Sequence, residues 1–234
     1  MAIVLGIDVG GTNVKIRVSD GDEIRKIPSG PTLTAAGMVA KVLAESADWA
    51  YERVSIGYPG PVLGGCPVHE PANLGPGWVG FDFGRALGRP VKVVNDATMQ
   101  ALGSYTGGKM LFLGLGTGLG STMIVAGAVE PMELGHLPYR RGTFEDYVGR
   151  RGLERRGKKK WQKSVADVVA RLYAALEPDY VVLGGGNAQK LAEIPPYARL
   201  GDNDCAFAGA FRLWEPFESS GSLTGSDPVE SNEQ

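Results

Sequence analysis

Cysteine is nearly missing from this chain: among 234 residues there are two, Cys66 and Cys205. They provide neither a disulfide framework nor the paired spacing of a metal site, and such usage fits a reducing compartment, read here as the cytoplasm. No apolar run approaches the roughly 20 residues of a membrane span. The N-terminus shows neither the basic region nor the cleavage site of a secretory signal, so no membrane partner is expected. Net charge is small as well, since 24 Lys and Arg face 26 Asp and Glu. Its distribution is more telling than its sum. The string "RRGLERRGKKKWQK" from 150 to 163 holds eight basic residues against one acid, whereas "ESSGSLTGSDPVESNEQ" at the end holds four acids and no base. The low apolar content beyond Glu215 predicts a disordered acidic tail over 216–234.

Glycine, by contrast, is plentiful and placed with pattern. In "LGIDVGGTNVKIRV", residues 5–18, an aspartate ends one apolar run, two glycines and a threonine follow, and a second apolar run begins. The β-branched flanks at 3–7 and 14–18 predict strands joined by a tight turn. A turn of this kind exposes backbone N–H groups and suits an anion, usually phosphate. Asp8 would repel bare phosphate, so its carboxylate makes sense only with a cation such as Mg²⁺ between them. An ordinary hairpin with a small turn is the alternative.

Strand-like and helix-like segments alternate along the rest of the chain, which predicts an α/β protein. A helix is expected over 34–49 from a Thr cap, a strand into a Pro/Gly turn in "RVSIGYPGPV", and a strand, a polar pair and a helix in "RPVKVVNDATMQALGSY". In "KMLFLGLGTGLGSTMIVAGAV", residues 109–129, two apolar runs again flank a glycine turn. Its spacing matches neither of the common phosphate-loop fingerprints, and a strand rather than a helix follows it. Further helices are expected in "SVADVVARLYAAL" and "DCAFAGAFRLW", with a strand into a glycine turn in "DYVVLGGGN". Two hairpins, each opening a half-chain, imply two similar halves that face one another and grip a polyanion.

Several motifs in order, "GIDVGGT", "GYPGPV", "PANLGPGW", "VVNDATMQALG", "LGLGTGLGS", "ELGHLPY", "GTFEDYVG" and "VVLGGGN", make the chain resemble the ROK-type sugar kinases. The likeness covers roughly residues 3–214 and is greatest to the short family members that use polyphosphate to phosphorylate glucose. The resemblance implies a two-lobed actin/hexokinase-like (ribonuclease H-like) α/β fold with a duplicated mixed-sheet core, its lobes spanning 1–96 and 97–215. It further implies a cytoplasmic homodimer, a hexose in the cleft, Mg²⁺ beside the phosphates, and ATP or inorganic polyphosphate as donor.

Residue by residue, the resemblance makes Asp96 the base that takes the sugar hydroxyl's proton, a role suited to a carboxylate at a strand's C-terminal end. Capping of a helix starting at Ala97 is its structural alternative. Asn73, Asn95, Glu133, His136 and Glu145 match sugar contacts, with Asp96 beside them. Gly10, Gly11, Thr12 and Lys15 match phosphate contacts at the first turn, and Thr117 and Gly118 match them at the second. Gly184, Gly185 and Gly186 match the segment that cradles adenosine in ATP-using relatives, while Trp78 is expected to form a cleft wall or core. Typical members bind zinc through cysteines after their Gly-His pair. "ELGHLPYRRGTFEDY" has none, so no zinc is expected.

Other readings stay open. An ATP-only glucokinase, a kinase of another hexose or N-acetylhexosamine, and a non-catalytic sugar-binding protein share most of these residues. The repressors of the family carry a DNA-binding segment before the first turn, and here that turn starts at residue 10. The basic stretch 150–163 could bind nucleic acid without sequence preference, with Trp161 stacking on a base. It could equally form a track for polyphosphate or a solvated face.

Overall fold

The computed structural model describes residues 2–202 and 204–215; the expected acidic tail lies outside the described residues. Two five-stranded mixed sheets carry the chain. In the first, β1 (Val4–Val9), β2 (Asn13–Val18) and β3 (Arg25–Pro28) form an antiparallel meander. β1 also pairs in parallel with β4 (Arg53–Tyr58), and β4 with β5 (Val91–Asn95), giving the order β3-β2-β1-β4-β5. The second sheet repeats this plan. β6 (Lys109–Leu115), β7 (Leu119–Val125) and β8 (Ala128–Met132) form the meander, and β9 (Tyr180–Gly184) and β10 (Ala198–Leu200) add in parallel, in the order β8-β7-β6-β9-β10.

Patterning explains the placement of the strands. β1 and β6 are apolar almost throughout and are covered on both faces, whereas β2 alternates between buried and half-exposed positions. α1 (Ala35–Glu45) buries Met38, Val39 and Val42 in the first core, and the Thr34 side chain accepts from Gly37 N at 3.1 Å. It stops short of residue 49, where the Ser46 hydroxyl turns back to Val42 O. The short α2 (Phe83–Leu87) lies before β5, and Trp78 is fully buried against Tyr58 and Phe83.

Between the sheets runs α3 (Asp96–Ser104), crossed by α6 (Cys205–Arg212), the last helix among the described residues. The two approach so closely that a β-carbon on Gly103 or Gly209 would overlap the partner helix's backbone. α6 also packs on β1 and β4, and Ser55 donates to Ala210 O at 2.6 Å. α6 thus returns to the first sheet and ties it to α3 at the base of the cleft.

On the second sheet, α4 (Phe144–Val148) is followed by α5 (Arg150–Leu176). The helix expected over "SVADVVARLYAAL" therefore begins at Arg150, within the basic stretch. Arg, Lys and Glu are good helix formers, and the interruption falls at Gly157, whose φ of 72° and ψ of 158° leave the helical region. Trp161, Val165, Val168, Val169 and Leu172 bury the inner face of the second segment.

Candidate active site

A cleft of about 480 Å³ opens between the sheets. Its first wall is the β1–β2 turn, closed by Gly10 N donating to Asn13 O at 3.1 Å. Ser29 braces this turn twice, through its hydroxyl to Gly10 O at 2.6 Å and its amide to Thr12 O at 3.0 Å. Asp8 and Lys15 stand directly across the two strands, with Nζ 3.5 Å from Oδ2. Burial raises the Asp8 carboxyl above the ordinary carboxylate range, and Lys15 pulls it partly back. Asn73 stands over the turn, 3.2 Å from the place a β-carbon on Gly11 would occupy. Bare glycine is what lets that loop come down onto the turn.

The floor is the start of α3. Asn95 is the N-cap: its side-chain oxygen accepts from Ala97 N at 2.8 Å and Thr98 N at 3.4 Å, and its amide donates to Gly60 O at 2.9 Å. The helix therefore starts at Asp96, not Ala97, and the principal cap is Asn95. Asp96 accepts from Ala97 N at 2.7 Å through one oxygen, which leaves the second for the cleft. Burial first, and the negative charge of Asp8 second, push its carboxyl up to about 7. A group poised there can take and return a proton near neutral pH.

The second wall is the β6–β7 turn, Gly116, Thr117 and Gly118. Asn187, buried at the end of the "VVLGGGN" motif, donates to Gly116 O at 2.9 Å, and Arg150 N bonds to Gly116 O and Thr117 O. A β-carbon on Gly118 would collide with the Glu145 carboxylate, so Glu145 lies over this turn as Asn73 lies over the first. Gly185 has φ 80° and its own β-carbon would strike the Leu115 backbone, so glycine is required there.

Glu133 reaches the cleft from the N-cap of a short 3₁₀ turn, Leu134–His136. No cysteine orders this segment; Ser121 ties it down by accepting from Leu134 N and donating to Met132 O. Beyond it, Tyr139 packs against Phe144 and Tyr147, and Thr143 with Asp146 forms a capping box at α4.

Of the residues singled out by sequence, the cleft brings together Asp8, Gly10, Gly11, Asn73, Asn95, Asp96, Thr117, Gly118, Glu133, Glu145, Gly185 and Gly186. Thr12 is exposed at the turn and Lys15 sits behind Asp8, both outside the lining. His136 is exposed and does not line the cleft. Gly184 is buried beneath it, packed against the Phe112 ring. Sequence reasoning passed over Gln100, Ser29 and Asn187, although Gln100 and Asn187 lie inside quoted motifs.

The basic stretch splits by environment. Arg150 lines the cleft, and Arg155 and Arg156 lie over the Tyr147 ring, Arg156 also donating to Ser164 at 2.7 Å. Lys158, Lys159, Lys160 and Lys163 are exposed. Trp161 is fully buried, its indole donating to Val148 O at 2.6 Å, so it has no face for a nucleic-acid base.

Comparison with known proteins points the same way. The profile described as the ROK family matches residues 4–152. A polyphosphate glucokinase from Mycobacterium tuberculosis is 32% identical over 209 residues, covering 79% of this chain and 78% of that protein. The crystal structure of an inorganic polyphosphate/ATP-glucomannokinase from Arthrobacter sp. strain KM aligns with a TM-score of 0.76 at 29% identity, over 90% of this chain and 97% of that one. A ROK hexokinase from Thermus thermophilus aligns with a TM-score of 0.68 at 25% identity, over 89% and 96%.

Proposed function

The chain belongs to the ROK family, and from that membership we propose that it transfers a phosphoryl group from polyphosphate, with ATP as a second donor, to the 6-hydroxyl of glucose, with mannose as a second acceptor. The observation that carries this reading is Asp96, held by the Asn95 cap at the floor between two glycine turns and kept near neutrality by burial. The hydroxyl oxygen attacks the terminal phosphorus, its proton passes to Asp96, and the phosphorus–oxygen bond to the remaining donor chain, or to ADP, breaks. Asn73, Glu133 and Glu145 select the sugar, because an analogue lacking a matching hydroxyl leaves their polar atoms unpaired. Asn95, whose oxygen and amide are engaged by backbone groups, acts chiefly by holding Asp96 in place. The phosphates lie against Gly10, Gly11, Thr117 and Gly118. Thr12, Lys15 and His136 join only if the lobes, divided near residue 96, close on the ligands.

The donor set fits Mg²⁺ rather than a metal caged by protein: Asp8 supplies a carboxylate beside an exposed turn, and donor phosphates and water would complete the shell. Bound there, the ion would neutralise charge that develops on the transferring group.

Long polyphosphate gains from a basic path leading out of the cleft, and Arg150 with the exposed lysines 158–160 supports that path. The Gly185–Gly186 lining favours a nucleotide instead, which keeps an ATP-only glucokinase as the second reading. We place the enzyme in the cytoplasm as a homodimer, without nucleic-acid or membrane partners; among the described residues no helix is long and apolar enough to cross a membrane. A sugar panel assayed with ATP and with polyphosphate, each with and without Mg²⁺, tests the whole reading. Absence of hexose phosphate with both donors in folded protein would overturn it.

A further inference from the structure

Gln100 is a cleft residue without an assigned task. It lies four residues after Asp96 on α3, so the two side chains share one face of the helix, about 6 Å apart along its axis. Both line the cleft. Its side-chain oxygen is turned toward the second sheet, 3.2 Å from where a β-carbon on Gly184 would stand. Gly114, Gly116, Gly185 and Gly186, which line the same cleft, offer no side chain beyond hydrogen. Among the described residues no hydrogen bond engages its amide group, although a primary amide carries two donors and an acceptor.

Charge gives this free amide its meaning. The cleft is lined by four carboxylates, Asp8, Asp96, Glu133 and Glu145, against one guanidinium, Arg150. A polyanionic donor entering such a site needs hydrogen-bond donors that carry no negative charge. Of the five neutral polar side chains in the lining, Asn95 is committed to α3 and Gly60 and Ser121 to Met132, while Asn73 and Thr117 are assigned to sugar and phosphate in the reading above. Gln100 is not.

We propose that Gln100 is a donor-binding residue: its amide donates to the phosphate that stays behind when the terminal group leaves, so that α3 holds the base at its first residue and the donor one turn further on. The inference rests on the kinase reading above and adds a contact on its donor side. A neutral amide suits this position, because it can hold an anion without adding a charge beside Asp96.

The test uses the full chain with Gln100→Ala, Gln100→Met and Gln100→Glu, each checked for folding by its thermal transition. Magnesium tripolyphosphate is titrated calorimetrically, and KM is measured separately for polyphosphate and for glucose. Ala and Met should raise the tripolyphosphate Kd and the polyphosphate KM about tenfold, with glucose KM within about twofold. Glu should be worse than either, since a carboxylate there repels the donor. Tripolyphosphate binding and polyphosphate KM unchanged in folded Ala and Met variants would overturn the proposal, as would a glucose KM that rises as much as the donor's, or wild-type protein that binds no tripolyphosphate. Wild-type protein that binds tripolyphosphate but phosphorylates no sugar would sink the kinase reading instead, and the titration would still decide the role of Gln100.

Discussion

The two glycine hairpins occupy the same place in the same sheet plan, yet the register position behind the turn distinguishes them. In the first, Val9 pairs with Val14 beside the turn, and Asp8 pairs with Lys15 one step back. In the second, Leu115 pairs with Leu119, and the step behind it is Gly114 opposite Gly120. The charged pair of one half is a pair of bare glycines in the other. Gly120 is used for closeness: a β-carbon there would come within 2.7 Å of the Ala97 β-carbon, at the start of the helix that carries Asp96. One hairpin therefore brings a carboxylate to the cleft, while the other makes room for the helix that carries Asp96. The repeated sheet plan thus carries different side chains at this register position.

The largest effect is expected where the two halves meet. Asp96→Asn should lower turnover by roughly 10²- to 10⁴-fold while glucose still binds, as turnover assays beside glucose titrations would show. The same change should stabilise the fold at high pH. A carboxyl raised to about 7 in the folded state, against an ordinary value near 3.8, holds its proton more tightly folded than unfolded. Its contribution to stability is full below pH 3.8 and is lost as pH rises through 7. Asp96→Asn should therefore raise the thermal midpoint at pH 8 and leave it little changed near pH 4. Near-normal turnover would reduce Asp96 to a helix-end residue and remove the task assigned to the junction.

Asp8→Asn tests the asymmetry itself. Loss of the charge that the second hairpin lacks should cost roughly 10- to 100-fold in activity, with a higher Mg²⁺ requirement. Its pH signature is independent of that cost. In wild-type enzyme, kcat/KM should fall as pH drops below about 7, because Asp96 becomes protonated. Asp8 is the second cause of that high value, so in Asp8→Asn the acid limb should move to lower pH. An unmoved limb would mean that the two carboxylates do not sense each other.

These contrasts also mark what was legible in the sequence. Both hairpins could be read because glycine turns and β-branched flanks are local signals, and the duplicated sheet plan followed from finding the pattern twice. Asp96 was legible because it follows a strand and starts a helix. Asn95, expected as a sugar contact, is in addition the cap of α3, a second use that its position before the helix did not reveal. Gly184 resembled its neighbours in "GGG", but only packing against Phe112 shows that it lies under the cleft. Trp161 among lysines looked available for stacking; the amphipathic period that buries it is interrupted at Gly157, so the pattern is hard to follow back into the basic stretch. Ser29 and Asn187 act through contacts with turns distant in sequence, and no local pattern encodes those partners.

A smaller effect is expected outside the cleft. Neutralising Lys158, Lys159 and Lys160 together should raise KM for long polyphosphate roughly tenfold and change that for ATP far less. These lysines occupy the first turn after the break at Gly157, where positive side chains oppose the helix dipole. The triple change should therefore leave the thermal midpoint unchanged or slightly higher. Equal effects on both donors would return the lysines to a solvated surface and leave donor choice to the two turns alone.

The smallest effects should come from the braces behind the turns, and their ratio sharpens the comparison. Ser29 holds Gly10 O in the first hairpin and Asn187 holds Gly116 O in the second. Ser29 is half-exposed, so water can replace its hydroxyl, and Ser29→Ala should cost about 1 kcal/mol. Asn187 is buried and also accepts from Lys190 at 2.9 Å, so Asn187→Ala leaves a carbonyl and an ammonium without that partner and should cost about 2 kcal/mol. Urea unfolding of both variants gives the two numbers, and donor KM shows whether each turn has lost its shape. If the first turn depends mainly on its cation and the second on its rigidity, added Mg²⁺ should restore donor KM in Ser29→Ala but not in Asn187→Ala. Restoration in both, or in neither, would show that the turns hold phosphate in the same way despite the charged pair that distinguishes them.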